Sequence, residues 1–123
     1  MSKHKKAVAT SEDVRAADLH GQWRDTARGL RNVVEEYCLQ KEWCEMLPNN
    51  SADKNRETAV LEEQKKSVLN HVAAYEQAQK CFNDYYSAHE SECNIHSYDL
   101  ISLSASEYVK RYIRGFKHWG RSV

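Results

Sequence analysis

A stripe of mainly apolar side chains follows the first third of the chain at alternating steps of four and three residues. Its members are Leu19, Trp23, Thr26, Leu30, Val33, Tyr37, Gln40, Cys44 and Leu47. This spacing is typical of an amphipathic helix with a heptad-type apolar seam. Thr10 followed by Asp13 resembles a helix-capping box, and Pro48 disfavours helical backbone at Leu47. The pattern therefore predicts a first helix over residues 10–47.

The middle of the chain repeats this spacing. Leu61, Val68, Tyr75, Phe82 and His89 recur every seven residues, and Gln64, His71, Ala78 and Tyr85 occupy the alternate positions. Asn49, Asn50 and Ser51 are turn and cap residues that separate the two patterns. We therefore predict a second helix over residues 51–92. His71 lies on its apolar seam and is interpreted as a packed histidine satisfied by a neighbour.

A third amphipathic stretch lies near the end of the chain. Val109, Tyr112, Ile113 and Phe116 share one face at helical spacing, which predicts a helix over residues 104–118. The predicted fold class is all-α: an extended arrangement of two long helices and a shorter C-terminal helix. We predict a single helical domain over residues 1–123, beginning with a basic N-terminal arm over residues 1–9.

Composition limits what such a domain can do alone. Eighteen basic and eighteen acidic residues balance to a net charge of zero, and aromatic residues make up 10% of the chain. Leu, Ile, Val and Phe are sparse, so the predicted core is thin, and we expect the protein to gain stability from a partner. No uncharged apolar run approaches the ~20 residues of a bilayer span, so no transmembrane helix is predicted.

The C-terminal helix carries a second pattern, in which basic residues alternate with aromatic ones. The predicted contact residues are Lys110, Arg111, Arg114, Lys117, Trp119 and Arg121. Such a helix suits an acidic protein partner, anionic lipid headgroups or RNA. Overall neutrality argues against a dedicated nucleic-acid binder, so other protein subunits and lipid headgroups are the expected partners.

Four cysteines are the disulfide candidates: Cys38, Cys44, Cys81 and Cys93. On a helix the first two lie ~9 Å apart and the last two ~18 Å apart, whereas a disulfide needs Cα atoms within about 7 Å. A plain antiparallel hairpin around residues 48–51 also keeps the two pairs apart. Disulfides therefore require a departure from that hairpin or a break near residues 87–91. The alternative is that the thiols are reduced and pack as small hydrophobic groups.

Candidates for chemistry are few. His89, Cys93 and His96 follow at i, i+4 and i+7, the spacing of one helix face, and His and Cys are the ligands that zinc prefers. Structural zinc sites usually have tighter spacings, so no metal site is predicted. Glycine-rich nucleotide loops, nucleophile elbows, di-iron motifs and haem-attachment motifs are all missing from the sequence. We therefore predict a protein that is not an enzyme and needs no cofactor.

The segments "YCLQKEWC", "KCFNDYYSAHESEC" and "EYVKRYIRG" resemble the paired-cysteine helical proteins of the mitochondrial intermembrane space. More narrowly, they resemble the PDSW-type accessory subunits of respiratory complex I. The spacings C-x5-C and C-x11-C depart from the twin C-x9-C pattern of the wider group. The resemblance implies a non-catalytic accessory subunit, imported without a cleaved presequence and oxidised on the intermembrane-space side of the inner membrane. The alternative is a cytoplasmic helical module with reduced cysteines that binds protein or RNA.

Overall fold

The computed structural model of the protein describes residues 8–98, 105–116 and 119, and these parts contain helices joined by short irregular segments. Helix α1 spans Ser11–Met46, α2 spans Ala52–His89 and α3 spans Ala105–Tyr112, and a 3-10 turn at Glu90–Glu92 follows α2. The predicted all-α fold with two long helices and a shorter C-terminal helix is confirmed. Most of the predicted basic N-terminal arm, residues 1–7, lies outside the described residues.

Local sequence signals set the start of α1. The Thr10 hydroxyl accepts a hydrogen bond from the Asp13 backbone N–H at 3.0 Å, and the Asp13 carboxylate accepts one from the Thr10 backbone N–H at 2.9 Å. These two bonds form the predicted capping box, which satisfies N–H groups that the first helical turn leaves without partners.

The connection between α1 and α2 is a tight turn. Leu47 is extended, as expected before Pro48, and Asn50 adopts the left-handed conformation with φ 61°. The Ser51 hydroxyl then caps α2 by accepting a hydrogen bond from the Lys54 backbone N–H at 3.0 Å. The chain therefore reverses direction within a few residues.

The two long helices pack as a plain antiparallel hairpin. Near the turn, the Gln40 side-chain amide donates to the Glu57 carbonyl at 2.9 Å. In the middle of the hairpin, a Cβ added to Gly29 would lie 3.2 Å from the His71 ring, so glycine allows the helices to approach closely there. Because the seams predicted for α1 and α2 face each other, they form the shared core.

Helix α3 covers one side of this hairpin. Ala105, Val109, Ile113 and Phe116 are buried in the same apolar core as the residues of α1 and α2. The helix is shorter than the predicted 104–118. Gly115 has φ 82°, a conformation that turns the chain out of the helix after Tyr112.

None of the helices within residues 8–98 and 105–116 combines the length and apolar character of a bilayer-spanning helix.

Candidate functional site

All four cysteines are free, and the hairpin explains why. Cys38 and Cys44 lie on α1 near the turn, whereas Cys81 and Cys93 lie toward the opposite end of the hairpin. No two of them come to disulfide distance, so the disulfide prediction is not met. The alternative of packed thiols fits Cys44 and Cys93, which are both 5% exposed.

The histidine–cysteine row does not form a metal site. Helix α2 ends at His89, so the helical face that His89, Cys93 and His96 would share is broken. The His89 Nδ1–H donates to the Tyr85 carbonyl at 2.9 Å, and the His96 Nδ1 lies 2.6 Å from the Tyr86 hydroxyl. Within the described residues, no group of three or more potential ligands is placed to hold a metal ion.

The open end of the hairpin, away from the turn, is held together by a buried carboxylate. Asp13 is 1% exposed, and it accepts hydrogen bonds from the backbone N–H groups of Asn94 and Ile95, both at 3.0 Å. The side-chain amide of Asn94 donates in turn to the Val8 carbonyl at 2.7 Å. We call this contact, together with the Thr10 cap, the Asp13 staple. It ties the start of α1 to the segment that follows α2.

The Asp13 staple is suited to structure rather than to reaction chemistry. The pKa of Asp13 is lowered to about 2, mainly by the hydrogen bond from the Thr10 backbone. Burial opposes this shift, and the backbone hydrogen bonds from Ile95 and Asn94 add to it. Nearby, burial and the negative charge of Asp13 raise the pKa of the Cys93 thiol. A carboxylate with several fixed donors is a weak base, and a protonated thiol is a weak nucleophile. Asp13 therefore does not activate the Cys93 thiol in the way that catalysis by a thiol requires.

An aromatic cluster fills the core beside this staple. His20 is 2% exposed, and its ring lies 5.1 Å from Phe82 and 5.0 Å from Tyr98, centroid to centroid. Edge-to-face and tilted arrangements dominate, as expected for ring quadrupoles. His71 packs beside Gly29, and its Nδ1–H donates to the Ser67 carbonyl at 2.8 Å. This agrees with the prediction of a packed histidine that is satisfied by a neighbour.

Exposed apolar side chains form a stripe near the turn, which the sequence did not reveal. Leu39, Trp43 and Met46 are 66%, 48% and 75% exposed, respectively. Their spacing of i, i+4 and i+7 places them on one face of α1, away from the buried residues Tyr37 and Cys44. We call these three residues the tip stripe. Exposed apolar residues grouped in this way are typical of a binding surface.

A groove between α1 and α3 continues the tip stripe. Its volume is about 640 Å³, and it is lined by Arg31, Val34, Glu35, Cys38, Leu39, Tyr108 and Tyr112. The Cys38 thiol lies 3.5 Å from the Tyr112 carbonyl, and burial raises the pKa of this thiol. Leu39 belongs to both features, so the groove and the tip stripe form one continuous surface.

Carboxylates lie along the part of α1 that carries the tip stripe. The four that flank the tip stripe are exposed, and no ion pair engages them among the described residues: Glu35, Glu36, Glu42 and Glu45. We call them the acidic rim. The last turn of α1 also contains no basic residue, although the negative end of a helix dipole favours one. The four glutamates outnumber the two basic residues of this part of α1, Arg31 and Lys41, so it carries an excess of negative charge.

Four of the six predicted contact residues lie in the part of the chain that the structure describes, and they divide into two groups. Lys110, Arg111 and Arg114 are exposed around α3, and Lys110 pairs with Glu107 at 3.4 Å. Trp119 is half-buried instead: its ring lies 5.0 Å from that of Tyr37, and the Lys65 ammonium lies 5.0 Å above it. Trp119 is thus a packing residue rather than an exposed contact. Lys117 and Arg121 lie outside the described residues.

Comparisons with protein-family models, with curated proteins and with solved structures each found no match. The fold and the surface described above are therefore the basis for assigning a function.

Proposed function

We propose that this chain is a non-catalytic structural subunit that binds another protein within a larger assembly. The tip stripe is the observation that carries this proposal. Three large apolar side chains at helical spacing stay exposed although the same helix buries its other apolar face. A tryptophan at the centre of such a patch is the residue type most often found as an energetic anchor of protein interfaces.

The chemistry of the remaining residues fits this role. The strongest polar cluster, the Asp13 staple, has its donors and acceptors paired within the fold. The narrower assignment to a respiratory membrane complex, on the intermembrane-space side of the mitochondrial inner membrane, has the sequence resemblance as its support. The free thiols do not add to it. Assembly with protein partners is the part of the proposal that the geometry favours.

The test compares two double variants of the tagged full-length protein. Leu39→Ser with Met46→Ser removes two exposed apolar side chains from the tip stripe, and Val14→Ser with Val60→Ser removes two exposed ones elsewhere. Partners are isolated in mild detergent and identified by mass spectrometry. The partner found is then purified, and its affinity for each variant is measured by calorimetry.

We expect the tip-stripe variant to bind the purified partner at least about tenfold more weakly, because truncating interface anchors costs more than about 1 kcal/mol each. The Val14 and Val60 control should bind like the unmodified protein. Equal affinity of both variants for the partner would contradict the proposal.

A further inference from the structure

The surface that combines the tip stripe with the groove has the dimensions of a helix-binding site. From Val34 to Met46 it extends ~18 Å along α1, the length of about twelve helical residues. The backbone of α1 is already paired within the helix, so the surface offers side chains and no free row of backbone groups. A segment buried there must satisfy its own backbone hydrogen bonds, and a helix does so.

The acidic rim determines the charge of the occupant. Glu36 and Glu42 lie on opposite sides of the tip stripe, so a helix docked on the stripe faces carboxylates along both of its edges. Basic residues on those edges would gain charge pairing, and acidic ones would be repelled. The same rim disfavours a second copy of this chain docked stripe to stripe, because two sets of glutamates would meet.

Helix α3 shows that this fold already accepts a helix of that chemistry. Val109 of α3 and Ile113, which follows the helix, are buried against the hairpin, while Lys110, Arg111 and Arg114 stay exposed. Arg31 and the exposed basic side chains of α3 disfavour a cation beside the groove, so a basic helix would dock along the tip stripe, between Glu36 and Glu42.

We propose that the tip stripe and the groove bind a basic amphipathic helix of the partner protein, with its apolar residues on Leu39, Trp43 and Met46 and its Lys or Arg residues on the acidic rim. This inference rests on the proposed function, because it identifies the kind of partner element that the same surface receives.

The probe is a synthetic 18-residue alanine-based helix with three leucines at i, i+4 and i+7 and lysines on both flanks of that face. A second peptide has glutamates in place of the lysines. Binding to the full-length protein is measured by calorimetry at low and at physiological salt. We expect one-to-one binding of the lysine peptide that weakens with salt, and no binding of the glutamate peptide.

Matched variants separate the rim from general negative charge. Glu36→Gln with Glu42→Gln should weaken binding of the lysine peptide about tenfold, whereas Glu62→Gln with Glu76→Gln, which removes two carboxylates from α2, should leave it unchanged. Equal weakening by both pairs, or equal binding of the two peptides, would overturn the inference. A dimer of the unmodified protein that Leu39→Ser dissociates would also overturn it, in favour of a second copy.

Failure of the inference is distinguishable from failure of the proposed function. If the tip-stripe variant no longer binds the purified partner but the rim variant binds it normally, the stripe is an interface and the inference of a basic helix is wrong. If the tip-stripe variant keeps the partner, the proposed function itself fails.

Discussion

Replacing Phe82 with alanine tests the packing of the open end of the hairpin. The side chain is 7% exposed, and its ring lies between 5.1 and 5.8 Å from four other rings, those of His20, Trp23, Tyr86 and Tyr98. These rings belong to α1, to α2 and to the segment after α2, so three parts of the backbone meet around one side chain. Truncation therefore leaves a cavity that the structure cannot easily close.

The expected cost follows from this geometry. Phe→Ala changes in cores cost about 3–5 kcal/mol, and sites that cannot collapse fall in the upper half of that range. We expect a loss of about 4 kcal/mol, out of a total of roughly 5–15 kcal/mol for a domain. Phe82→Leu, which keeps most of the volume, should cost less than about 1.5 kcal/mol.

Urea unfolding followed by circular dichroism at 222 nm measures both variants against the unmodified protein. Val60→Ala is the control, because Val60 is 41% exposed and its truncation should change stability by no more than about 0.5 kcal/mol. A Phe82→Ala variant within about 1 kcal/mol of the unmodified protein would refute the assignment of Phe82 to a closely packed core.

Four further substitutions test other parts of the structure. The pKa of Asp13 falls from 3.8 to about 2 on folding, so its ionised carboxylate stabilises the fold fully above pH 4. This contribution is lost as the pH falls toward 2. The urea midpoint of Asp13→Asn should therefore change less between pH 4 and pH 2 than that of the unmodified protein. Gly21→Ala should stabilise the protein by about 0.5–1 kcal/mol in thermal melts, because the added methyl group meets no neighbour. Gly29→Ala should stabilise it by less, because the methyl group at that position crowds the His71 ring. Glu45→Lys should stabilise the isolated protein by about 0.3–1 kcal/mol at low salt, and lack of any gain would argue against an uncompensated helix dipole.

The helices could be predicted because their signals are local. Thr10 with Asp13 and Pro48 act within one turn of the residues they affect, so the bounds of α1 differ from the predicted 10–47 by one residue at each end. The end of α3 was predicted less well because Gly115 is only one possible stop signal in a basic, aromatic stretch. Its positive φ is a property of the folded chain.

The Asp13 staple and the tip stripe could not be predicted, for two different reasons. Asp13 contacts Asn94, which is 81 positions away, and no periodicity encodes that pairing. Leu39 and Trp43 lie at helical spacing in the sequence, but α1 carries a longer apolar seam through Tyr37 and Cys44. Which face is left exposed becomes clear only once α2 and α3 occupy their places.

The two ends of the hairpin differ in a way that separates stability from binding. At the open end, a buried carboxylate joins the start of α1 to the segment after α2, and a cluster of rings packs beside it, so these residues serve stability. At the turn end, α1 finishes with glutamates at the negative end of its dipole, which cost the isolated chain stability, and with Met46 exposed, which leaves apolar surface for a partner to bury. A partner with basic and apolar residues would neutralise the glutamates and bury Met46. A substitution such as Glu45→Lys should therefore stabilise the free protein and weaken its complex, and this opposition of effects is characteristic of a surface shaped by binding.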